Sequence, residues 1–346
     1  MYSNLKVISP LDYPDWDNLL LTNENYSFFQ TALWARVLVD TYNYNPYYFV
    51  VIEDDKLKFL LPSMEVKSFL SHTRMVSLPF SDFCDPVTNE SNNFDGFFRY
   101  LVDYAKTIHW NSIEFRGGAK LFDTTQQYMQ AIGHSLTLTP DTVSIFKKFH
   151  LNTRRNIKKA RRENVQVEMF HDFNAIEKFY KLQCVTRKRL GIPPQPFTFY
   201  KNIFHNVIEQ NAGFIMLASH EDKVFAGALF FHLGNKALFK YGASDMKFKQ
   251  LRGNNLIMWE AIRWYANNGY TNFNFGRTDL DGQGLRRFKL GWGCDEEKLN
   301  YYKFKLSEDC FIESDHRKYV FIHNVFKKLP TPVLRMIGAI VYKHLG

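Results

Sequence analysis

A chain of 346 residues with 45% apolar and 23% charged residues is long enough for about two folded domains, and this composition excludes a disordered or low-complexity protein. It has no run of 18 apolar residues, and its opening MYSNLKVISPLDY has no signal-peptide core, so we expect a cytoplasmic location without a membrane span. Cys84, Cys184, Cys294 and Cys310 lack CxxC spacing or nearby His ligands, so neither a zinc site nor a disulfide framework is suggested. The net charge of +9 is uneven: residues 1–140 carry 10 Lys/Arg against 16 Asp/Glu, and the remainder carries 34 against 19, so the later part calls for an anionic partner.

In chain order, Phe28–Asp40 has the spacing of an amphipathic helix, and Tyr47–Lys67 reads as a hairpin turning at Glu53–Lys56. Met75–Phe80 is a short strand entering SDFCDP, where Asp82 and Asp85 flank Cys84. Phe94–His109 is helical in spacing, and Asn111–Gly118 is a strand ending in an arginine and glycines, so this half is an α/β layer. Phe149–Phe170 follows, with Arg154, Arg155, Lys158, Lys159, Arg161 and Arg162 on a helix capped at Asn152 or Thr153, then a strand through Val165, Val167 and Met169. Six cations so close repel one another unless an anion is near, so this helix is read as a contact for phosphate or a polyanion.

The later half repeats the earlier order. Phe214–Leu233 is a hairpin with HEDKV where the first has EDDKL, followed by a strand Asn235–Ser244, a helix Gly253–Asn268 and a strand Thr271–Arg277. The repeated order predicts two structurally similar domains. Within Thr271–Gly293, TNFNFGRTDLDGQGLRRFKLGWG, the glycine-rich turn delivers Arg286, Arg287, Phe288 and Lys289 together, the pattern of an active-site edge. Near the C-terminus Val333, Leu334, Ile337, Val341 and Leu345 share one helical face, with Arg335 and Lys343 on another. That pattern fits either an interfacial helix on anionic lipid or a helix docked on its own domain.

TRRNIKKARRENVQVE, CVTRKRLGIPP, YGAS and FNFGR followed by GLRRFKLGWG occur in an order that resembles the FemAB-like branch of the GNAT acyltransferase superfamily, over roughly residues 25–305. The branch includes peptidoglycan bridge-forming aminoacyltransferases and acyltransferases found with exopolysaccharide synthesis. The resemblance implies an α/β (α+β) fold of two tandem GNAT-like domains, 1–140 and 141–310, and leaves a basic amphipathic tail, 311–346, outside it. It also implies acyl transfer to an amine without a covalent nucleophile, acyl-CoA being the expected cosubstrate and aminoacyl-tRNA the alternative.

By the same resemblance Lys289 is the first catalytic candidate, for oxyanion stabilisation, with Phe288 beneath the reacting group and Asp82 to orient or deprotonate the acceptor. Gln250, Arg252, Gly253 and Asn254 stand where the superfamily cradles a donor pyrophosphate, although Asn255 replaces the expected Gly or Ala. Arg277, Arg286, Tyr241, Arg154, Lys158 and Arg187 are the substrate-binding candidates. The expected partners are a small-molecule or lipid-linked glycan acceptor, an anionic membrane surface through 331–346, and nucleic acid if the donor is a tRNA. A membrane-peripheral binding protein that keeps the fold without chemistry is the third reading.

Overall fold

The computed structural model describes residues 4–69, 72–88, 94–119, 121–122, 125–313 and 320–346, apart from the side chains of residues 320–322. The chain divides into two compact units, one of Met1–Ala131, Lys298–His316 and Ile340–Gly346, the other of Ile132–Glu297 and Arg317–Ala339. These units do not coincide with the segments 1–140, 141–310 and 311–346. The strands Met129–Thr137 and Asp295–Lys305 each cross a division, and a division inside a strand leaves no mark in composition.

In the first unit the helix Ala32–Tyr42 (α1) begins at Thr31, whose Oγ1 accepts from Trp34 N at 3.0 Å; the expected helical residues Phe28–Gln30 form a separate 3₁₀ turn. Strands Tyr48–Glu53 (β1) and Lys56–Leu61 (β2) pair antiparallel around Asp54 and Asp55, both left-handed with φ of 50° and 55°, which closes the hairpin in two residues. Strand Arg74–Val76 (β3) is shorter than expected. It leads through helix Phe94–Thr107 (α2) to strand Ser112–Arg116 (β4), which lies parallel to it with Arg74 opposite Ser112. The strand Asp295–Lys305 pairs antiparallel on the other side of β4, with Lys303 opposite Glu114. Alternation then sends Met75, Ile113, Phe115, Tyr302 and Phe304 into an aromatic core and leaves Arg74, Glu114, Arg116 and Lys303 on the opposite face.

The second unit runs through helix Leu151–Arg162 (α3), strand Gln166–Phe170 (β5) and helix Phe173–Leu190 (α4) to strands Gly213–His220 (β6), Lys223–Leu233 (β7) and Lys236–Ser244 (β8). Helix Gly253–Asn267 (α5), strand Asn272–Asp279 (β9), helix Gln283–Leu290 (α6), the strand Asp295–Lys305 (β10) and helix Thr331–Leu345 (α7) complete it, the last two only in part. The β6–β7 turn repeats the first hairpin's solution, with Glu221 and Asp222 at φ of 48° and 60°. Strands β5 to β8 are antiparallel neighbours, and β9 lies parallel to β8. The β8–β9 register joins Lys236–Leu238 to Asn272–Asn274 and ends there, while both strands continue, so their C-terminal ends part.

Two local expectations are corrected. Asn152 and Thr153 do not cap α3, because His150 takes that position without a side-chain cap, and Thr153 is buried inside the helix. DLDGQG does not present its four successors from a loop. Its last two residues begin the α6 segment, so Arg286, Arg287, Phe288 and Lys289 point to different sides.

In α7 the sequence left lipid and self-docking open, and the structure docks part of the expected face. Leu334 and Tyr342 are buried, the Arg335 guanidinium lies 5.3 Å from the Tyr180 ring centroid, and a Cβ on Gly338 would stand 1.9 Å from the Pro194 carbonyl oxygen. Leu345 points outward, as do Met336 (61% exposed) and Ile340 (52% exposed), which share a second stripe at i, i+4. Among the described residues no helix is long and apolar enough to cross a membrane.

Candidate active site

The parting of β8 and β9 places Gly276 and Arg277 at the open end of the second unit's sheet. Gly276 has φ of 69°, and its N–H donates to Asn274 Oδ1 at 2.7 Å, so the strand kinks there. Lys289 enters this kink from α6. It is 2% exposed, and its Nζ donates to the carbonyl oxygens of Gly276 at 2.9 Å and Arg277 at 2.8 Å. The two carbonyl dipoles fix a buried ammonium at the kink. The helix that carries it is held close to α3, since a Cβ on Gly291 would stand 2.5 Å from Thr153 Oγ1 and Gly291 O accepts from His150 N at 3.0 Å.

Around Lys289 stands a polar set that the sequence did not flag. The ring of fully buried His134 meets Glu296 Oε1 at 3.0 Å through Nε2, and Glu296 takes a two-pronged contact from Arg286, Nε at 2.8 Å and Nη2 at 2.6 Å. Burial, and then the charge of Lys289, hold the His134 pKa below the ordinary imidazole value, while Glu296 pulls the other way. The hydrogen bond from Arg286, opposed by desolvation, holds Glu296 below its usual range. Cys294 Sγ lies 3.2 Å from the Lys289 carbonyl oxygen, and burial lifts its thiol to about 11, so it is no nucleophile at neutral pH. Lone buried residues such as His134 carry no periodic or motif signal; only the alternation of its strand could have placed it inward.

The other candidates scatter. Phe288 packs edge-on to Trp292 at 5.9 Å and belongs to the border of the core, and Arg277 lies 3.4 Å from Asp279. Arg286 is paired with Glu296. Tyr241 packs with Phe199 and Tyr200 at 6.1 and 6.0 Å, an aromatic cluster on β8. Arg187 is half-buried in the last turn of α4, Lys158 is exposed on α3, and Arg154 Nε is buried without a hydrogen bond among the described residues. Asp82 lies in the first unit, its carbonyl oxygen accepting from Tyr301 Oη at 2.6 Å.

At the start of α5, Arg252 is left-handed at φ 60°, and a Cβ on Gly253 would stand 2.5 Å from the Phe225 ring, so only glycine fits. Asn254 Nδ2 donates to Ser244 Oγ at 3.2 Å, and Gln250 is exposed. Asn255 is buried, with its N–H donating to Arg252 O at 3.0 Å, so this backbone donor turns back into the helix. No group of three or more His, Cys, Asp or Glu residues suited to a metal occurs among the described residues. Cys84, Cys184 and Cys294 are buried free thiols, whereas Cys310 is exposed.

Residues 147–299 match the GNAT acetyltransferase domain family. A lipid II:glycine glycyltransferase of Staphylococcus epidermidis is 30% identical over 93 residues, covering 25% of this chain and 22% of that protein, and one of Staphylococcus aureus is 28% identical over 100 residues, 27% and 24%. The chain thus spans about a quarter of the length of these curated relatives. Among solved structures, the crystal structure of FemX superposes with a TM-score of 0.69 at 16% identity, over 86% of this chain and 96% of that one. A tandem GNAT protein from the clavulanic acid biosynthesis pathway gives 0.53 at 9% identity, over 87% and 98%. At such identities these likenesses show the fold, an α/β GNAT fold.

Proposed function

From the premise that this chain belongs to the FemAB-like branch of the GNAT acyltransferases, we propose that it transfers an aminoacyl group from a charged tRNA to a primary amine on a lipid-linked cell-envelope precursor. The observation that carries the chemistry is Lys289, a buried ammonium fixed at the point where β8 and β9 part. In this reading the acceptor amine adds to the donor's carbonyl carbon and the negative charge that develops on oxygen faces an ammonium already in place. Collapse of the adduct expels the donor's ribose oxygen, and the amine's proton leaves with it or to solvent. A fixed donor of this kind contributes about 10²–10³ in rate.

The donor assignment rests on two features. The Asn255 N–H is spent inside α5, which weakens the backbone cradle a pyrophosphate needs, and α3 presents exposed Arg155, Lys158 and Arg162, a surface suited to nucleic-acid phosphates. The acceptor class follows the printed activity of the glycyltransferase relatives. Acyl-CoA stays as the second reading, because residues 147–299 match the GNAT acetyltransferase domain family. Asp82 is assigned to acceptor recognition in the first unit. The deciding experiment offers labelled aminoacyl-tRNA and labelled acetyl-CoA separately with an amine-bearing lipid-linked precursor. Amide-linked label from the tRNA alone is the expected result, and label from acetyl-CoA alone would replace this reading by the second.

A further inference from the structure

The first unit's sheet has a charged face whose charges are unevenly matched. The β3, β4 and β10 registers set Arg74, Glu114, Arg116 and Lys303 on the side away from the aromatic core. Glu114 is committed to Arg116, its Oε1 accepting from Nε and Nη2, both at 3.2 Å. Arg74, 5% exposed, donates to the backbone oxygens of His344 at 3.0 Å and Gly346 at 2.7 Å. Lys303 differs: among the described residues its Nζ forms no hydrogen bond or ion pair, and it stands 5.2 Å from the Tyr128 ring centroid, a contact that attracts a cation but accepts no proton. Lys303 and Arg116 therefore share one carboxylate, Glu114, in a half-buried setting, where an unmatched charge is costly. Burial pushes the Lys303 pKa down and Glu114 pulls it back up, with Arg74 again lowering it.

The same cations border a strained turn. Leu78 and Phe80 both have left-handed backbones, at φ of 55° and 59°, and Arg116 Nη1 reaches the Leu78 carbonyl oxygen at 3.4 Å. Tyr301, opposite Arg116 in the sheet, holds the Asp82 carbonyl oxygen. Strain of this kind persists where the surroundings over-determine it, and such positions gather at ligand sites.

We propose that this face of the first unit is an oxyanion subsite in which Lys303 and Arg116 hold a carboxylate or phosphate group of the acceptor. The assignment of the anion to the acceptor rests on the proposed function; the subsite itself does not. Titration calorimetry of the full chain with inorganic pyrophosphate, inorganic phosphate and acetate at low ionic strength tests it. Lys303→Gln is expected to weaken anion binding about tenfold or more, the loss of one charge-assisted contact. Lys305→Gln, on the same strand but already paired with Glu308, should leave binding unchanged.

Glu114→Gln removes the competing carboxylate and should tighten binding, a gain that damage to the fold does not produce. Stronger binding of pyrophosphate points to a phosphate source and stronger binding of acetate to a carboxylate, and either supports the subsite. Wild-type affinity in both Lys303→Gln and Glu114→Gln, or an equal loss in Lys305→Gln, would overturn it. The titration contains no donor, so anion binding without aminoacyl transfer would sink the proposed function alone. Transfer to an acceptor stripped of its anion at unchanged KM would remove the acceptor from this subsite and leave the transfer reaction standing.

Discussion

The two units solve the same construction problem and then use it differently. In each, a hairpin closes through two left-handed acidic residues, Asp54-Asp55 or Glu221-Asp222, and a helix later carries the chain to a strand parallel to one already laid down, β3 to β4 through α2 or β8 to β9 through α5. After the parallel strand they diverge. In the second unit β9 kinks at Gly276 and is followed by α6, which buries a single ammonium under the kink. In the first, β4 runs into Gly117 and Gly118, and the cations sit on the sheet itself, spread over three strands. One concentrated charge suits a developing oxyanion, and a spread of charge suits holding an anionic group, so on the proposed reading the shared frame separates chemistry from recognition.

The sharpest way to break that comparison is Lys289→Met. Turnover should fall about 10²–10³-fold, and because the carbonyls of Gly276 and Arg277 lose a shared donor, the melting temperature should fall as well. Thermal melts and single-turnover transfer on one preparation check both effects. Gly338→Ala comes next, with a Cβ set 1.9 Å from the Pro194 carbonyl oxygen; α7 should undock in part, at about 1–3 kcal/mol by urea unfolding, with little change in transfer below the transition.

A smaller effect comes from pH. His134 is held below the ordinary imidazole value of 6.5, so the unfolded chain binds its proton more readily than the folded one. Its contribution is therefore complete above that value and is lost as pH falls below it. Melting temperatures measured from pH 8 to 5 should decline below about pH 6.5, and His134→Gln should flatten that decline. The smallest effect on stability is expected from Met336→Ser with Ile340→Ser, within about 0.5 kcal/mol, because both side chains are exposed. Binding to anionic vesicles should weaken in the same variant if this stripe meets lipid, and sedimentation with the vesicles reads it.

Much of the frame was legible because its signals are periodic or local. Both hairpins, α2, α5 and β9 follow from alternation, helical spacing and turn chemistry, and the ends differ by only a few residues. The candidate site was legible only where a motif marked it: FKLGWG pointed to Lys289 but not to its burial, since the segment reads equally as an exposed turn. His134 and Glu296 come from strands far apart in sequence, and nothing local links them. The charged face of β4 escaped notice because Arg74, Arg116 and Lys303 are spread through the chain and meet only through strand register. The tail was legible only in part because α7 is apolar on more than one side, and a list of apolar positions does not say which side docks.

The division of labour is tested most directly by one kinetic measurement: initial transfer rates across a range of acceptor concentrations at saturating donor, for wild type, Lys289→Met and Lys303→Gln, each below its own melting transition. The account predicts a fall in kcat with little change in KM for Lys289→Met, and a rise in acceptor KM with kcat nearly kept for Lys303→Gln. A kcat within about threefold of wild type in Lys289→Met, in a protein that is folded and active, would contradict it.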